Sequence, residues 1–167
     1  MQNKALVVID LQNDITKNYR EIIDNVNSAI DWAIENDLHV VYIRHHSLSA
    51  GTRTFKPDTP GAELVPELKI VSENVFLKSK GNALTSDGFA SFIAENEIRE
   101  FYITGADAIA CVKSTCYNMC KAGYGVTVLS DCITSYDKKK IDEMPRYYVR
   151  YYESKGSKIL ALNDLTV

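Results

Sequence analysis

Three polar residues stand where short apolar runs end. Asp10 follows ALVVI, Lys78 follows VFL, and Cys111 comes a few residues after FYIT. A carboxylate, an ammonium and a thiol gathered at one point make a Cys-Asp-Lys constellation, in which a thiolate attacks a carbonyl carbon while the other two groups manage charge and protons. Each residue alone has a plainer reading: an Asp after a buried strand is a cap or turn former, and a solitary Lys is ordinarily solvated. Their shared position at strand ends is what makes the set specific. Cys111 also opens a helical pattern, where unpaired backbone N–H groups and the helix dipole favour a thiolate and a nearby ammonium favours it further.

The elements that would bring these residues together alternate along the whole chain. Apolar runs at 5–9, 40–43, 75–77, 101–104, 126–129 and 159–162 read as strands. Unbroken runs of this kind suit parallel strands covered by helices on both faces, whereas a half-exposed strand alternates. Between them, Ile22, Ile23, Val26, Ala29, Ile30 and Ala33 share one helical face. A second helix spans about 86–95, with Thr85, Ser86 and Asp87 as candidate caps and Phe89, Phe92 and Ile93 buried. A third runs from near Cys111 to a left-handed stop at Gly123, and a fourth from near Pro145 to just before Gly156. This order predicts one domain over 1–167, a Rossmann-like three-layer α/β/α fold with a mostly parallel six-stranded sheet and ligands at the carboxyl ends of its strands. The irregular stretch 47–74 follows the second strand, which predicts a cover over that edge.

The balance of 19 Lys+Arg against 22 Asp+Glu in 167 residues, a formal charge of −3, argues against a nucleic-acid partner. A chain of this length buries roughly 70% of its unfolded surface and needs no structural metal or disulfide. No apolar stretch approaches the roughly 20 residues of a membrane span, and the amino terminus lacks a leader pattern. Cys111, Cys116, Cys120 and Cys132 crowd into one short window and read as reduced thiols, so a cytoplasmic location is expected. Zinc on Cys116, Cys120 and Cys132 is disfavoured, because neither Cys-x-x-Cys spacing nor histidine support is present. There is no Gly-x-Gly-x-x-Gly after a strand and no P-loop, and DLQND lacks the second aspartate spacing of aspartyl phosphatases.

The segments ALVVIDLQNDI (5–15), LKSKGNAL (77–84) and ITGADAIACVKSTCYNMCKAGYGVTVLSD (103–131) resemble the isochorismatase-like cysteine hydrolases, a family that includes nicotinamidases, carbamoyl-amide hydrolases and isochorismatase. Gly105, Cys111, Val112, Thr115, Gly123, Tyr124 and Asp131 carry the likeness most specifically. The resemblance implies Cys111 as nucleophile, Asp10 as general base and Lys78 as third member. It also implies a cis peptide at Ala106–Asp107 that turns the N–H of Asp107 toward that of Cys111 as an oxyanion hole. The expected activity is cleavage of a C–N bond in a small amide or carbamoyl compound through a thioester, without a cofactor. Vinyl-ether hydrolysis without a thiol, or a silent member that binds a small ligand or a partner protein, are the alternatives. The family's habit of assembling, with Tyr147, Tyr148, Tyr151 and Tyr152, implies a homo-oligomer. Metal-dependent nicotinamidases carry Asp-x-His and further histidines after the second strand, where this chain has Arg44, His45 and His46. His39 is the one other histidine, so no metal is expected, and His45 and His46 read as loop hydrogen-bonders. Leu84 replaces an aromatic residue that often follows the Lys segment, which leaves the substrate open.

Overall fold

The computed structural model describes residues 3–16, 18–137 and 143–165. Six strands, β1 (Lys4–Ile9), β2 (His39–His45), β3 (Val75–Lys78), β4 (Glu100–Ala106), β5 (Gly125–Thr134) and β6 (Lys158–Leu160), form one sheet in the order β3-β2-β1-β4-β5-β6. Every neighbouring pair is parallel. Successive β1 residues explain the unbroken apolar run. Leu6 and Val8 pack toward α1 (Ile23–Glu35), while Ala5, Val7 and Ile9 pack toward the face of α2 (Asp87–Glu95), α3 (Cys111–Lys121) and α4 (Met144–Tyr147). The sheet is therefore the middle layer of an α/β/α sandwich. Strand order reverses between β1 and β4, the switch point at which a parallel sheet opens a crevice at its carboxyl ends.

Gly105 makes that crossing possible. It lies opposite Ile9 with φ +112, and an added Cβ would stand 2.2 Å from the Ile9 carbonyl oxygen. No other residue type lets β4 pass this close to the end of β1.

Two expectations need correction, and a third, the fourth helix, keeps its expected bounds with a different winding. β3 is not buried on both faces: it is an edge strand, with Val75 and Phe76 half-buried and Leu77 48% exposed. β6 stops at Leu160 instead of reaching 162, because the Leu162 N–H turns to the Asp131 carboxylate (2.9 and 3.2 Å) and Leu162–Asp164 becomes a 3-10 turn. The fourth helix widens after α4 into a π turn over Tyr148–Tyr152 and tightens to a 3-10 turn before Gly156. There the Tyr148 hydroxyl donates to the Ser130 carbonyl (3.2 Å) and that of Tyr152 to the Ala108 carbonyl. These two tyrosines are thus engaged within the fold, Tyr151 lies half-buried beneath Lys113 and Arg150, and the side chain of Tyr147 lies outside the described set.

The stretch 47–74 is anchored to the carboxyl edge. Ala62, Val65 and Leu68 are buried, Leu64 bridges Gln12, and the Asp14 carboxylate accepts the Phe55 N–H at 2.7 Å. Among the described residues no helix is long and apolar enough to cross a membrane.

Candidate active site

β1 ends at Ile9, and Asp10 makes the turn out of the sheet. Its N–H still donates to the Ile43 carbonyl (3.0 Å), while its φ of +55 swings the chain away, a conformation Asp tolerates better than most residues. Lys78 ends β3, in register with His45 at the end of β2. Cys111 is the first residue of α3, set by the turn that follows β4. The fold brings all three predicted residues together. Lys78 Nζ lies 2.9 Å from Asp10 Oδ2 and donates to Cys111 Sγ at 3.5 Å. Lys78 and Asp10 are nearly inaccessible to solvent, and Cys111 is half-buried.

The turn before Cys111 is organised by Asp107. Its carboxylate accepts the Ile109 N–H (3.0 Å), the Tyr136 N–H (3.1 Å) and the Tyr19 hydroxyl (3.1 Å), and its carbonyl accepts the N–H groups of Ala110 and Val112. Burial and the Asp107 charge push the Tyr19 phenol up, so it remains a donor. The Ala106–Asp107 peptide is cis, and neither Asp107 nor Cys111 gives its backbone N–H to another described residue. Thr115, one turn into α3, accepts the Ala83 N–H at 3.0 Å and ties the cysteine helix to the segment after Lys78.

Electrostatics revise one expectation. Cys111 is not poised as a thiolate: burial, and after it the Asp10 carboxylate, push the thiol up to about 11, outweighing the pull of Lys78. Burial also raises Asp10 against the opposing pull of Lys78, which makes it a stronger base than an exposed carboxylate. The resting sulfur therefore keeps its proton beside a group suited to take it.

His45, read from sequence as a loop hydrogen-bonder, stands inside the site with Nδ1 2.9 Å from Lys78 Nζ. Burial, Lys78 and His46 hold its imidazole down to about 4, so the ring is neutral. Gln12 had no sequence signal beyond its closeness to Asp10. It is buried and clamps His45, accepting its N–H (2.8 Å) and donating to its carbonyl (2.9 Å) and to that of Ala62 (2.8 Å). His39 sits at the far end of β2 against Phe92. A cleft of about 520 Å³ runs outside the edge strand along Val75–Lys80 and Thr85–Gly88. The Lys78 side chain points away from it, fully buried toward Asp10, so that cleft is not where the triad works.

Residues 4–149 match the family model of the isochorismatase domain. The chain belongs to the isochorismatase family. Lys78, Asp10 and Cys111 form the Cys-Asp-Lys triad of its cysteine hydrolases. A protein of Arabidopsis thaliana described as a probable inactive nicotinamidase is 26% identical, over 78% of this chain and 80% of its own. N-carbamoylsarcosine amidase of Thermoplasma acidophilum superposes with a TM-score of 0.81 at 19% identity, covering 99% of this chain and 100% of that one. The pyrazinamidase of Pyrococcus horikoshii, in complex with zinc, gives 0.79 at 22%, covering 96% and 99%. At such identities the structural likeness establishes the isochorismatase fold.

The residues here do not fit a metal. Ligand atoms of Asp10, His45 and Cys111 lie within 4.8 Å of one another, but the Lys78 ammonium already meets all three. The chain supplies its own cation at that point, and a metal ion would have to displace it.

Proposed function

We propose that the protein cleaves a C–N bond in a small amide or carbamoyl compound through a thioester on Cys111. The observation that carries this reading is the Lys78 ammonium bridging Asp10 Oδ2 and Cys111 Sγ at 2.9 and 3.5 Å. Asp10 Oδ1, buried and with no hydrogen-bond partner of ordinary geometry among the described residues, is the acceptor left open for a proton, and the Asp10 carboxylate reaches within 4.8 Å of the Cys111 sulfur. As the Cys111 sulfur bonds to the carbonyl carbon, the thiol proton passes to Asp10. The carbonyl oxygen takes up the negative charge, and the uncommitted N–H groups of Asp107 and Cys111 are the donors proposed to receive it. Each such donor is worth about 3 kcal/mol in the transition state. Collapse breaks the C–N bond, and Asp10 returns the proton to the leaving nitrogen. Water then gives a proton to Asp10 and attacks the thioester carbon; the C–S bond breaks, and the sulfur regains the proton from Asp10.

Brief incubation with a panel of small primary amides and carbamoyl compounds, followed by peptide mass spectrometry, tests the reading. An acyl mass on Cys111 with release of ammonia supports it. Ammonia release with no dependence on Cys111 would shift the chemistry to a thiol-independent hydrolysis.

The description of the Arabidopsis relative as probably inactive keeps a second reading, a silent binder of a small ligand. Such a protein would bind members of the panel without releasing ammonia. The four free thiols support a reducing, cytoplasmic setting. Assembly into a homo-oligomer is also part of the proposal, checked by sedimentation velocity at micromolar concentration, where a chain-mass monomer would argue against it.

A further inference from the structure

We infer that His45 is a positioning residue, accepting the third hydrogen of the Lys78 ammonium and so holding that ammonium between Asp10 and Cys111. An ammonium carries three hydrogens and no acceptor. The Lys78 side chain is wholly buried, so a hydrogen that missed a partner would carry an uncompensated desolvation cost. Three acceptors surround Nζ, namely Asp10 Oδ2 at 2.9 Å, His45 Nδ1 at 2.9 Å and Cys111 Sγ at 3.5 Å. Two of them belong to the triad, and His45 completes the set.

The protein holds His45 for this contact. Its register opposite Lys78 sets the two side chains at neighbouring strand ends, Gln12 grips both its N–H and its carbonyl, and the Phe55 ring packs edge-on at 5.5 Å. Facing the ring are Lys78 from β3, Asp10 from the end of β1 and Cys111 from α3, with His46 beside it in the chain. Lys78 and His46 both disfavour a charged imidazole, so Nδ1 keeps its lone pair and the ring hydrogen sits on Nε2. Without the acceptor, the ammonium is free to turn away, and Cys111 loses the cation that stabilises its thiolate.

The inference rests on Cys111 being the nucleophile, and iodoacetamide labelling of the full chain at pH 9, read by peptide mass spectrometry, separates the two claims. His45→Asn offers an amide oxygen near the place of Nδ1 but has no ring. His45→Phe keeps a ring against Phe55 but has no acceptor. The Phe variant should label Cys111 at least about threefold slower than the parent, and the Asn variant within about twofold of it, with matched melting curves confirming folded samples. If the Phe variant does not fold, His45→Ala provides the acceptor-less comparison. Parent-like labelling of the Phe variant, or an Asn variant as slow as the Phe variant, would overturn the inference while leaving the nucleophile in place. If folded Cys111→Ala still releases ammonia from a turned-over amide at the parent rate, the nucleophile reading falls and the inference with it.

Discussion

Lys78 and Asp10 are both taken out of water and depend on each other for compensation. Removing one partner of such a pair costs about 3–5 kcal/mol, because the other charge stays buried alone. Lys78→Met keeps most of the volume and should lose about that much stability at neutral pH. The sign of its pH dependence follows from Asp10, whose pKa burial already raises in the folded state and which loses its one opposing cation in the variant. A raised carboxyl pKa means that folding favours the protonated form, so stability is fullest at low pH and falls as pH rises through the folded value. Urea denaturation at pH 5 and pH 7 should therefore show the Lys78→Met deficit shrinking at the lower pH. Cys111 gives a second outcome at the same scale. A thiol pushed up to about 11 should label roughly tenfold faster per pH unit between pH 7 and 10. A rate already level at neutral pH would mean that the thiolate is preformed after all.

The triad depends on elements that meet at the switch point, and Gly105 is the tightest of these meetings. Gly105→Ala combines a left-handed backbone with a Cβ against the Ile9 carbonyl, and should cost more than about 2 kcal/mol by urea denaturation. Thr115→Val keeps shape but strips the Ala83 N–H of its acceptor, at about 1–3 kcal/mol. Asp10, Lys78 and Cys111 were legible in the sequence because each closes or follows an apolar run, and a parallel sheet gathers such positions at one edge. His45 and Gln12 were not. Their roles depend on the register of β2 against β3 and on a return of the chain at Leu64, neither of which composition reveals. Edge strand β3 reads from its residues like a central strand, since strand order does not show in an apolar run of three. The thiolate expectation failed for a related reason: a helix start and a nearby lysine are visible in sequence, but the depth of burial that outweighs them is not.

At the scale of the whole molecule, the β/α alternation was legible from end to end, and the 3-2-1-4-5-6 strand order places the triad where such sheets open. A sizeable cleft lies elsewhere, along the free edge of β3. Chemistry, and not cavity size, marks the site. Because Lys78 stands where the candidate ligand atoms converge, the folded protein should take up no stoichiometric zinc or iron, and prolonged dialysis against a chelator should leave turnover unchanged. Elemental analysis of the purified protein checks this, and a metal lost together with activity would contradict it.

In the proposed reaction Cys111 forms the bond to the substrate carbonyl and Asp10 takes the proton. The most direct measurement is the rate of ammonia release from a turned-over amide by the Cys111→Ala variant against the parent. Cys111→Ala should slow ammonia release by at least about 100-fold with the melting temperature moved by only a few degrees, since the change removes one half-buried sulfur. Ammonia release by folded Cys111→Ala at near the parent rate would contradict it and leave Asp10 acting on the substrate without a thiol.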